Sequence, residues 1–595
     1  MKKEILKLRE LMKDNGIDVY YVPSGDYHSS EYVNDYFKSR EFMSGLTGES
    51  GELIVDFDGA YLWTDGRYFL QAETQLAGSE IELMRMAEPG VPTVDEFLAD
   101  LAKKHSEAHP DKPFVLGFDG KVMPGSFDKK AKTIFADYDN VVIKWDKDLV
   151  DEIWTDRPEL KPSVIWELPI TSAGVTAEDK IAAVRKEMKE QGTDYLLVTD
   201  LMETAWLFNL RAADIMYTPV FFSYTLVTQD SIALYVMDGA LENGLPEHLS
   251  FVEVRDYDDI YKDVAALPAG STLWLSSATT NYALYLSIPE NVTIHDDLTP
   301  IAWAKVIKND TEIASTKNAH IKDGVAMVKF IKWIREVVDK EPQTEISAAD
   351  YLEALRKEQE GCFDLSFETI SGYGPNGAII HYAPTPETNL AIKPEGFLLV
   401  DSGAQFIDGT TDITRTIAVG PLTQEEIDDY TLVLKGHIDV SMFRIEPGMT
   451  GIEFDAVSRK ALKERGLDFR HGMSHGVGHV LGVHEGPNVL RRVPQPIQIK
   501  PGMVMSNEPG VYIDGKFGVR IENCVLFKDD GEGNVINEPL TCVPYERKAI
   551  NTELMTDEEL EWLNSYHMWV RDTLVPLLDE ETAAFLIEET EPITK

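Results

Sequence analysis

Four of the chain's 13 histidines fall in one stretch, HGMSHGVGHVLGVH, as His471, His475, His479 and His484. Acids gather nearby in the chain: Asp401, Asp408 and Asp412 in LLVDSGAQFIDGTTDITRT, then Glu508, Asp514 and Glu522 in SNEPGVYIDGKFGVRIENCVLF. Asp401 ends the apolar run Gly396-Phe-Leu-Leu-Val400, Asp412 opens ITRTIAV, and Glu522 interrupts VRIENCVLF. These runs read as buried strands. A carboxylate on such a strand is costly unless an opposite charge meets it. Arg415 and Arg520 supply some compensation, and metal cations supply more. Four carboxylates and one imidazole suit a pair of divalent cations, with oxygen-rich ligation favouring Mn²⁺ over a thiolate-seeking metal. Two such ions about 3.5–4 Å apart share a water and turn it into a hydroxide nucleophile at neutral pH.

Other patterns in the same segments point elsewhere. His471 and His475 have the i, i+4 spacing of helical zinc motifs, but the glutamate of H-E-x-x-H is missing and glycines interrupt the helix. GMSHG also fits the loose G-x-S-x-G pattern around Ser474, a weak signal for a nucleophile. Asp408 and Asp514 each precede glycine and read as turn residues. His479 reads as a packing or surface residue. A hairpin symmetric about Gly515 would set Glu508 opposite Glu522. The register joining Asp401 and Asp412 stays open, because their midpoint misses the Asp408-Gly409 turn.

The elements that must hold these residues are legible in outline. ILKLRELMKDNGIDVYYV from Ile5 matches IAAVRKEMKEQGTDYLLV from Ile181, with each copy reading as an amphipathic helix, a glycine cap (Gly16, Gly192) and an apolar strand. GELIV and AYLW follow the first copy, and FFSYTLVT and IALYVM the second, an alternation that favours α/β domains. DRPELKPS (156–163) and VIKNDTE (306–312) mark boundaries. Asn309 and Glu312 form the pattern of a capping box that opens a long helix with the apolar stripe Ile321, Val325, Val328, Ile331, Ile334 and Val338. The expected organisation is residues 1–158 and 159–310 as two related domains, then a larger domain 311–595.

Composition narrows the function classes. The 595 residues are too many for one core, and a 43% apolar fraction is enough to fill several. A net charge of −46 opposes binding to nucleic acid or to anionic membranes. Three cysteines make no disulfide framework in a chain of this length, which fits a reducing compartment. The N-terminal MKKEILKLRELMKDNG has no apolar run of signal length, and no stretch has the length of a membrane span, so a cytoplasmic location is expected.

Taken together, TISGYGPNGAIIHYAP, VDSGAQFIDGTTDITRT, HGMSHGVGHVLGVHEGP and NEPGVYIDGKFGVRIEN resemble the pita-bread metallopeptidases, and among them the three-domain Xaa-Pro aminopeptidases. SREFMSGLTGESGELIV, YLWTDGRYF and the C-terminal EWLNSYHMWVRD extend the resemblance over nearly the whole chain. It implies two creatinase-like α/β domains followed by a pita-bread catalytic domain of α+β type. It implies that Asp401 chelates one metal, that Asp412 and Glu522 bridge both, and that His475 and Glu508 hold the other. Glu508 would also transfer the proton, and His381, His471 and His484 would bind substrate and help stabilise the tetrahedral intermediate or shuttle protons. The implied reaction removes an N-terminal residue that precedes proline, with manganese as the metal and a homodimer as the assembly.

Two rivals follow from the same residues. A proline dipeptidase shares the metal site but cleaves Xaa-Pro dipeptides, and the extra repeated domain argues against it. A non-catalytic pita-bread module that binds peptides or histones would not need five ligands, and the chain has no terminal acid run for histone capture.

Overall fold

The computed structural model describes residues 2–138, 140–490 and 496–595. Two compact units are present, one of Met1–Glu167 with Ala177–Ile301, the other of Leu168–Thr176 with Ala302–Lys595.

The first unit carries the repeat as two sheets of the same topology. Helix α1 (Lys3–Asn15) closes at Gly16, whose φ of 59° is left-handed, and leads into β1 (Val19–Pro23). Strands β2 (Glu52–Val55), β3 (Ala60–Thr64), β4 (Glu82–Arg85), β5 (Phe114–Gly117) and β6 (Val141–Lys144) complete a sheet ordered β4-β3-β2-β1-β5-β6. The second copy begins with α2 (Ala177–Gln191), turns at Gly192 (φ 68°) and enters β7 (Tyr195–Val198). With β8 (Ser223–Thr228), β9 (Ile232–Val236), β10 (Glu253–Asp256), β11 (Thr272–Leu275) and β12 (Thr293–Asp296), its order is β10-β9-β8-β7-β11-β12. In both sheets the central strand has an antiparallel neighbour on one side and a parallel one on the other. The helical repeat seen in sequence is therefore the first segment of a repeated six-stranded sheet. Buried His28 helps to join the two halves, with Nδ1 2.8 Å from the Thr199 carbonyl and Nε2 2.6 Å from the Tyr257 hydroxyl.

The second unit is built on α3 (Asp310–Val337), a helix of 28 residues. Its capping box is formed as the sequence predicts, with the Asn309 side chain accepting from the Glu312 N–H and Glu312 returning the bond. Val325, Val328, Ile331, Ile334 and Val338 of the predicted stripe are buried, and Ile321 packs at the core edge. Helix α4 (Glu345–Lys357) follows, and then the strands that carry the acids and histidines. These are β13 (Ile370–Tyr373), β14 (Phe397–Ser402), β15 (Ala404–Phe406), β16 (Gly409–Thr410) and β17 (Ile413–Ala418). After two further helices come β18 (Ser474–Gly476), β19 (Glu485–Leu490), β20 (Val504–Asn507), β21 (Gly510–Ile513), β22 (Phe517–Arg520), β23 (Asn523–Asp529) and β24 (Val535–Pro539). Every residue of β14 and β17 is buried, as an apolar run without alternation predicts.

Cys362, Cys524 and Cys542 are all free. Among the described residues no helix is long and apolar enough to cross a membrane.

Candidate metal centre

The register that the sequence left open is set by the sheet. Strand β14 pairs with β17 so that Asp401 faces Thr414 and Ser402 faces Ile413. Asp412 lies two residues before Thr414, so strand alternation puts Asp401, Thr414 and Asp412 on one side of the ladder. Asp401 and Asp412 are thus diagonal neighbours and not a directly facing pair.

The second pair of acids comes from the hairpin expected about Gly515. Strands β21 and β22 pair Gly510 with Arg520 and Ile513 with Phe517, and Gly515 itself has φ 73°. Strands β20 and β24's neighbour β23 keep the same centre, pairing Asn507 with Asn523. Glu508 and Glu522 occupy the facing positions between these two ladders. The Glu522 N–H donates to the Thr414 carbonyl at 3.1 Å, and the Thr414 hydroxyl donates to Glu522 Oε2 at 2.7 Å. Those two bonds bring the hairpin onto the strand that begins after Asp412.

Strand β18 brings His475 to the same place. One ligand atom from each of Asp412, His475 and Glu522 lies within 4.8 Å of the other two, and all three residues are buried. His475 Nε2 is 3.4 Å from Asp412 Oδ2 and 3.4 Å from Glu508 Oε1. Its Nδ1–H donates to the Gly476 carbonyl at 2.9 Å, which turns Nε2 toward the acids. Asp401 joins through electrostatics: the neighbouring Asp412 carboxylate adds to the cost of ionising it.

The three histidines assigned to substrate lie around the same nest. His484 stacks edge-on to His475 with ring centroids 4.3 Å apart. His471 Nδ1 is 3.8 Å from Glu508 Oε2 and donates to the Gly472 carbonyl, while Nε2 accepts from the Tyr512 hydroxyl at 2.8 Å. His381 is close enough to act on the ionisation of both Asp401 and His471. His381, His484 and Glu508 are partly exposed, whereas Asp401, Asp412, His475 and Glu522 are buried, so the nest is open on the side of these three.

The two arginines divide their work. Arg520 is buried and meets Asp401 Oδ2 with Nη2 at 2.6 Å and Nε at 3.0 Å. Arg415 instead spends its donors on carbonyls of Thr414, Glu522, Val543 and Pro544 and on Asn523, so it braces the backbone and compensates no acid of the nest. Tyr512 and Thr414 were not singled out in the sequence. Tyr512 lies on β21, where its hydroxyl links His471 to Arg520 Nη1 at 2.8 Å. Its alternation with Gly510 toward the glutamates is the signal that would have found it.

The remaining polar residues fall outside this cluster. The Ser474 hydroxyl donates to the Ser506 carbonyl at 2.6 Å and has no histidine partner there. His479 lies between Ser172 Oγ (3.0 Å) and Thr316 Oγ1 (3.1 Å), a buried structural imidazole. Asp408 sits at its turn and accepts from Lys322 and from Asn318. Asp514 lies in the β21–β22 turn.

The residues fit a pair of divalent cations. Asp401 Oδ1, Asp412 Oδ1 and Glu522 Oε1 are buried and have no hydrogen-bond donor. Three orphaned carboxylate oxygens beside an aligned imidazole nitrogen are an expensive arrangement unless cations complete it. The ionisation of the cluster says the same. Burial pushes the Glu522 carboxyl well above its ordinary value, and neighbouring Asp412, Glu508 and Asp401 push it further. Burial also raises Asp401 against the pull of Arg520, and raises Glu508 against the pull of His475. For His475 burial opposes protonation, but the bond to Asp412 and the Glu508 charge prevail and lift it to about 9. Without cations the nest therefore gathers protons.

Metal loading must release those protons, which gives a first expected result. Below pH 9 the displaced His475 proton makes apparent affinity rise about tenfold per pH unit for each proton released. Calorimetric titration of the metal-stripped protein with Mn²⁺ in buffers of different ionisation enthalpy measures that number. Release of roughly zero protons per chain would contradict this reading of His475.

Known proteins resemble this chain over nearly its whole length. Residues 314–529 match the model of metallopeptidase family M24, and 537–593 match the C-terminal region of peptidase_M24. Residues 5–145 and 156–312 each match a creatinase/prolidase N-terminal domain. A protein named probable Xaa-Pro aminopeptidase P from Laccaria bicolor is 39% identical, over 99% of this chain and 93% of its own. Xaa-Pro aminopeptidase 1 of Dictyostelium discoideum is 37% identical, over 98% of this chain and 94% of its own. The crystal structure of X-prolyl aminopeptidase from Caenorhabditis elegans, described as a cytosolic enzyme with a di-nuclear active site, superposes with a TM-score of 0.92 at 32% identity, covering 99% of both chains. Xaa-Pro dipeptidase from Bacillus anthracis superposes with a TM-score of 0.51 at 26% identity, covering 62% of this chain and 99% of its own. Fold and site define a metal-dependent hydrolase with creatinase-type N-terminal domains. The chain belongs to metallopeptidase family M24.

Proposed function

We propose that this protein is a metal-dependent aminopeptidase that hydrolyses the bond between an N-terminal residue and a penultimate proline. The observation that carries the reading is the convergence of Asp401, Asp412, His475, Glu508 and Glu522 from three separate segments into one nest with orphaned oxygens. Full-length similarity to Xaa-Pro aminopeptidases supports the substrate class.

In this assignment Asp401, Asp412, His475, Glu508 and Glu522 would hold the two divalent ions, with Asp412 and Glu522 shared between them. Divalent ions held there would supply an activated water at neutral pH and a Lewis acid for the scissile carbonyl. Glu508 Oε2, on the His471 side of its carboxyl, accepts the proton of the attacking water and returns it to the proline nitrogen. That return matters because a proline nitrogen leaves from a tertiary amide and needs its proton supplied. His471 is held neutral, since burial and the Arg520 charge lower it well below its ordinary value. His381 and His484, at the open side, bind the substrate backbone and donate to the oxygen that gains charge.

The finer parts belong to the same proposal. Manganese suits four carboxylates and an imidazole. We assign a homodimer, a cytoplasmic location and peptide substrates, with no nucleic-acid or membrane partner. The division at 1–158, 159–310 and 311–595 is supported by the repeated sheet and by the spans of the family models.

The test compares an Xaa-Pro-Xaa tripeptide with an Xaa-Pro dipeptide, before and after chelation and Mn²⁺ readdition. Expected is cleavage of the tripeptide before proline, lost on chelation and regained with manganese, with the dipeptide much slower. A preference for the dipeptide would make the protein a proline dipeptidase, and metal binding without turnover of either would make it a binding module.

A further inference from the structure

We propose that Glu345 is a positioning residue that fixes the loop bearing His381, and so sets the rate of the reaction proposed above without touching the metals. The inference rests on that reading only for the role of His381. The anchoring itself stands on geometry.

Glu345 is the first residue of helix α4 and is fully buried. Some buried acids of this unit have a cation beside them, as Asp401 has Arg520 and Asp323 has Arg356 at 2.7 Å. Glu345 is satisfied by neutral donors, and every one of them comes from the segment that holds His381. Its Oε1 accepts from the Tyr373 N–H at 2.8 Å and from Asn376 Nδ2 at 3.0 Å. Its Oε2 accepts from the Leu390 N–H at 2.8 Å, from the Tyr382 hydroxyl at 2.7 Å and from Asn376 Nδ2 at 3.1 Å. The Glu345 N–H donates back to the Leu390 carbonyl at 3.1 Å.

These bonds grip the start, the middle and the end of one excursion. Tyr373 ends strand β13, Leu390 lies before the next strand, and Tyr382 adjoins His381. A carboxylate in a dry interior attracts such donors strongly, because charge-assisted bonds gain from low dielectric. The loop is also wedged from the other side. A Cβ placed on Gly518 would lie 1.8 Å from the Gly377 carbonyl, so the excursion rests against the hairpin that presents Glu508 and Glu522. Tyr382 packs with Ile370, Leu399 and Tyr512, and Tyr512 holds His471. His381 is thus fastened at Tyr382, while its own side chain stays partly exposed at the open side of the nest.

The acid matters more than its shape. In Glu345→Gln one oxygen becomes an NH₂ group that faces existing N–H or O–H donors, so the anchor is weakened with little change in volume. A misplacement of about 1 Å at a reacting group costs up to about 100-fold in rate. We expect Glu345→Gln to lower kcat about 10- to 100-fold while two metal ions remain bound. Tyr382→Phe removes a single anchor and should show a smaller loss of the same kind.

Two readouts separate positioning from mere stability. In a double-mutant cycle with His381→Ala, Glu345→Gln should cost less than about twofold, because the residue through which it acts is gone. Equal losses in both backgrounds, or loss of metal, would overturn the proposal. Hydrogen exchange over 373–390 reads the anchor without any substrate: the amides of Tyr373 and Leu390 should lose protection in Glu345→Gln while those of strands β14 and β17 keep it. Unchanged protection overturns the anchor. A wild-type protein that cleaves no Xaa-Pro peptide overturns the proposed function instead, and the exchange measurement still decides Glu345.

Discussion

Asp412→Asn is expected to lower kcat on an Xaa-Pro-Xaa tripeptide by roughly 10²- to 10⁴-fold, the equivalent of losing about 3–5 kcal/mol from a buried charge cluster. The substitution keeps the shape of the side chain and removes its charge. In the wild-type protein Asp412 Oδ2 aligns His475 from 3.4 Å, and Oδ1 has no donor at all. An amide in that place offers at most one oxygen and turns an N–H toward His475 or Glu522, where only acceptors are wanted. Both proposed ions lean on this residue, so stoichiometry should fall from two per chain toward one or none. Elemental analysis of the desalted variant, with far-UV circular dichroism as the control for folding, measures this. Normal turnover with two ions bound would remove Asp412 from the bridging position.

Arg520→Met is the second large effect, and it acts on stability. The guanidinium is buried, and it reaches Asp401 twice, Thr414 Oγ1 at 3.2 Å and Tyr512 at 2.8 Å. Methionine fills much of the stem's volume but leaves the Asp401 carboxylate in the interior with no partner. Breaking a buried pair by removing one member costs about 3–5 kcal/mol. At about 2–4 °C per kcal/mol for a unit of this size, the metal-free protein should melt roughly 10 °C lower. The sign with pH follows from Asp401. Burial already raises its pKa, and loss of Arg520 removes the opposing effect, so the carboxyl takes up a proton at higher pH than before. The deficit should therefore be largest at neutral and alkaline pH and shrink as pH falls and the acid becomes neutral. Manganese should recover part of the loss by supplying the missing positive charge. A melting temperature within about 2 °C of wild type at pH 8 would show that Asp401 does not depend on Arg520.

Much of the site was legible because its signals are local. Three acids on uninterrupted apolar strands are anomalous whatever surrounds them, and a cluster of histidines close by in the chain points to their partner. The hairpin about Gly515 could be centred because its turn and both glutamates lie within one short segment. Likewise Asn309 and Glu312 are three residues apart, and their capping box formed as expected. The duplicated helix from Ile5 and Ile181 pointed to two α/β units, although the sequence match ended long before the six-stranded sheets did. What escaped was non-local. Arg415 and Arg520 look equivalent in sequence, yet one holds carbonyls and the other an acid, a choice made by which strand edge each side chain faces.

The sequence by itself determined the chemistry available to this protein: oxygen and imidazole donors, in number and type, on segments too apolar to keep them without cations. Periodicity and turn residues also determined the elements, since both depend on neighbours within a few positions. Only the tertiary structure decided the pairing of Asp401 with Thr414, the allotment of Arg520 to Asp401, the separation of His479 from the other histidines, and the hold of Glu345 on the His381 loop. Each of these joins residues from different elements, and strand register and side-chain direction between elements are set by the packing of the whole core, to which no short stretch of chain gives access.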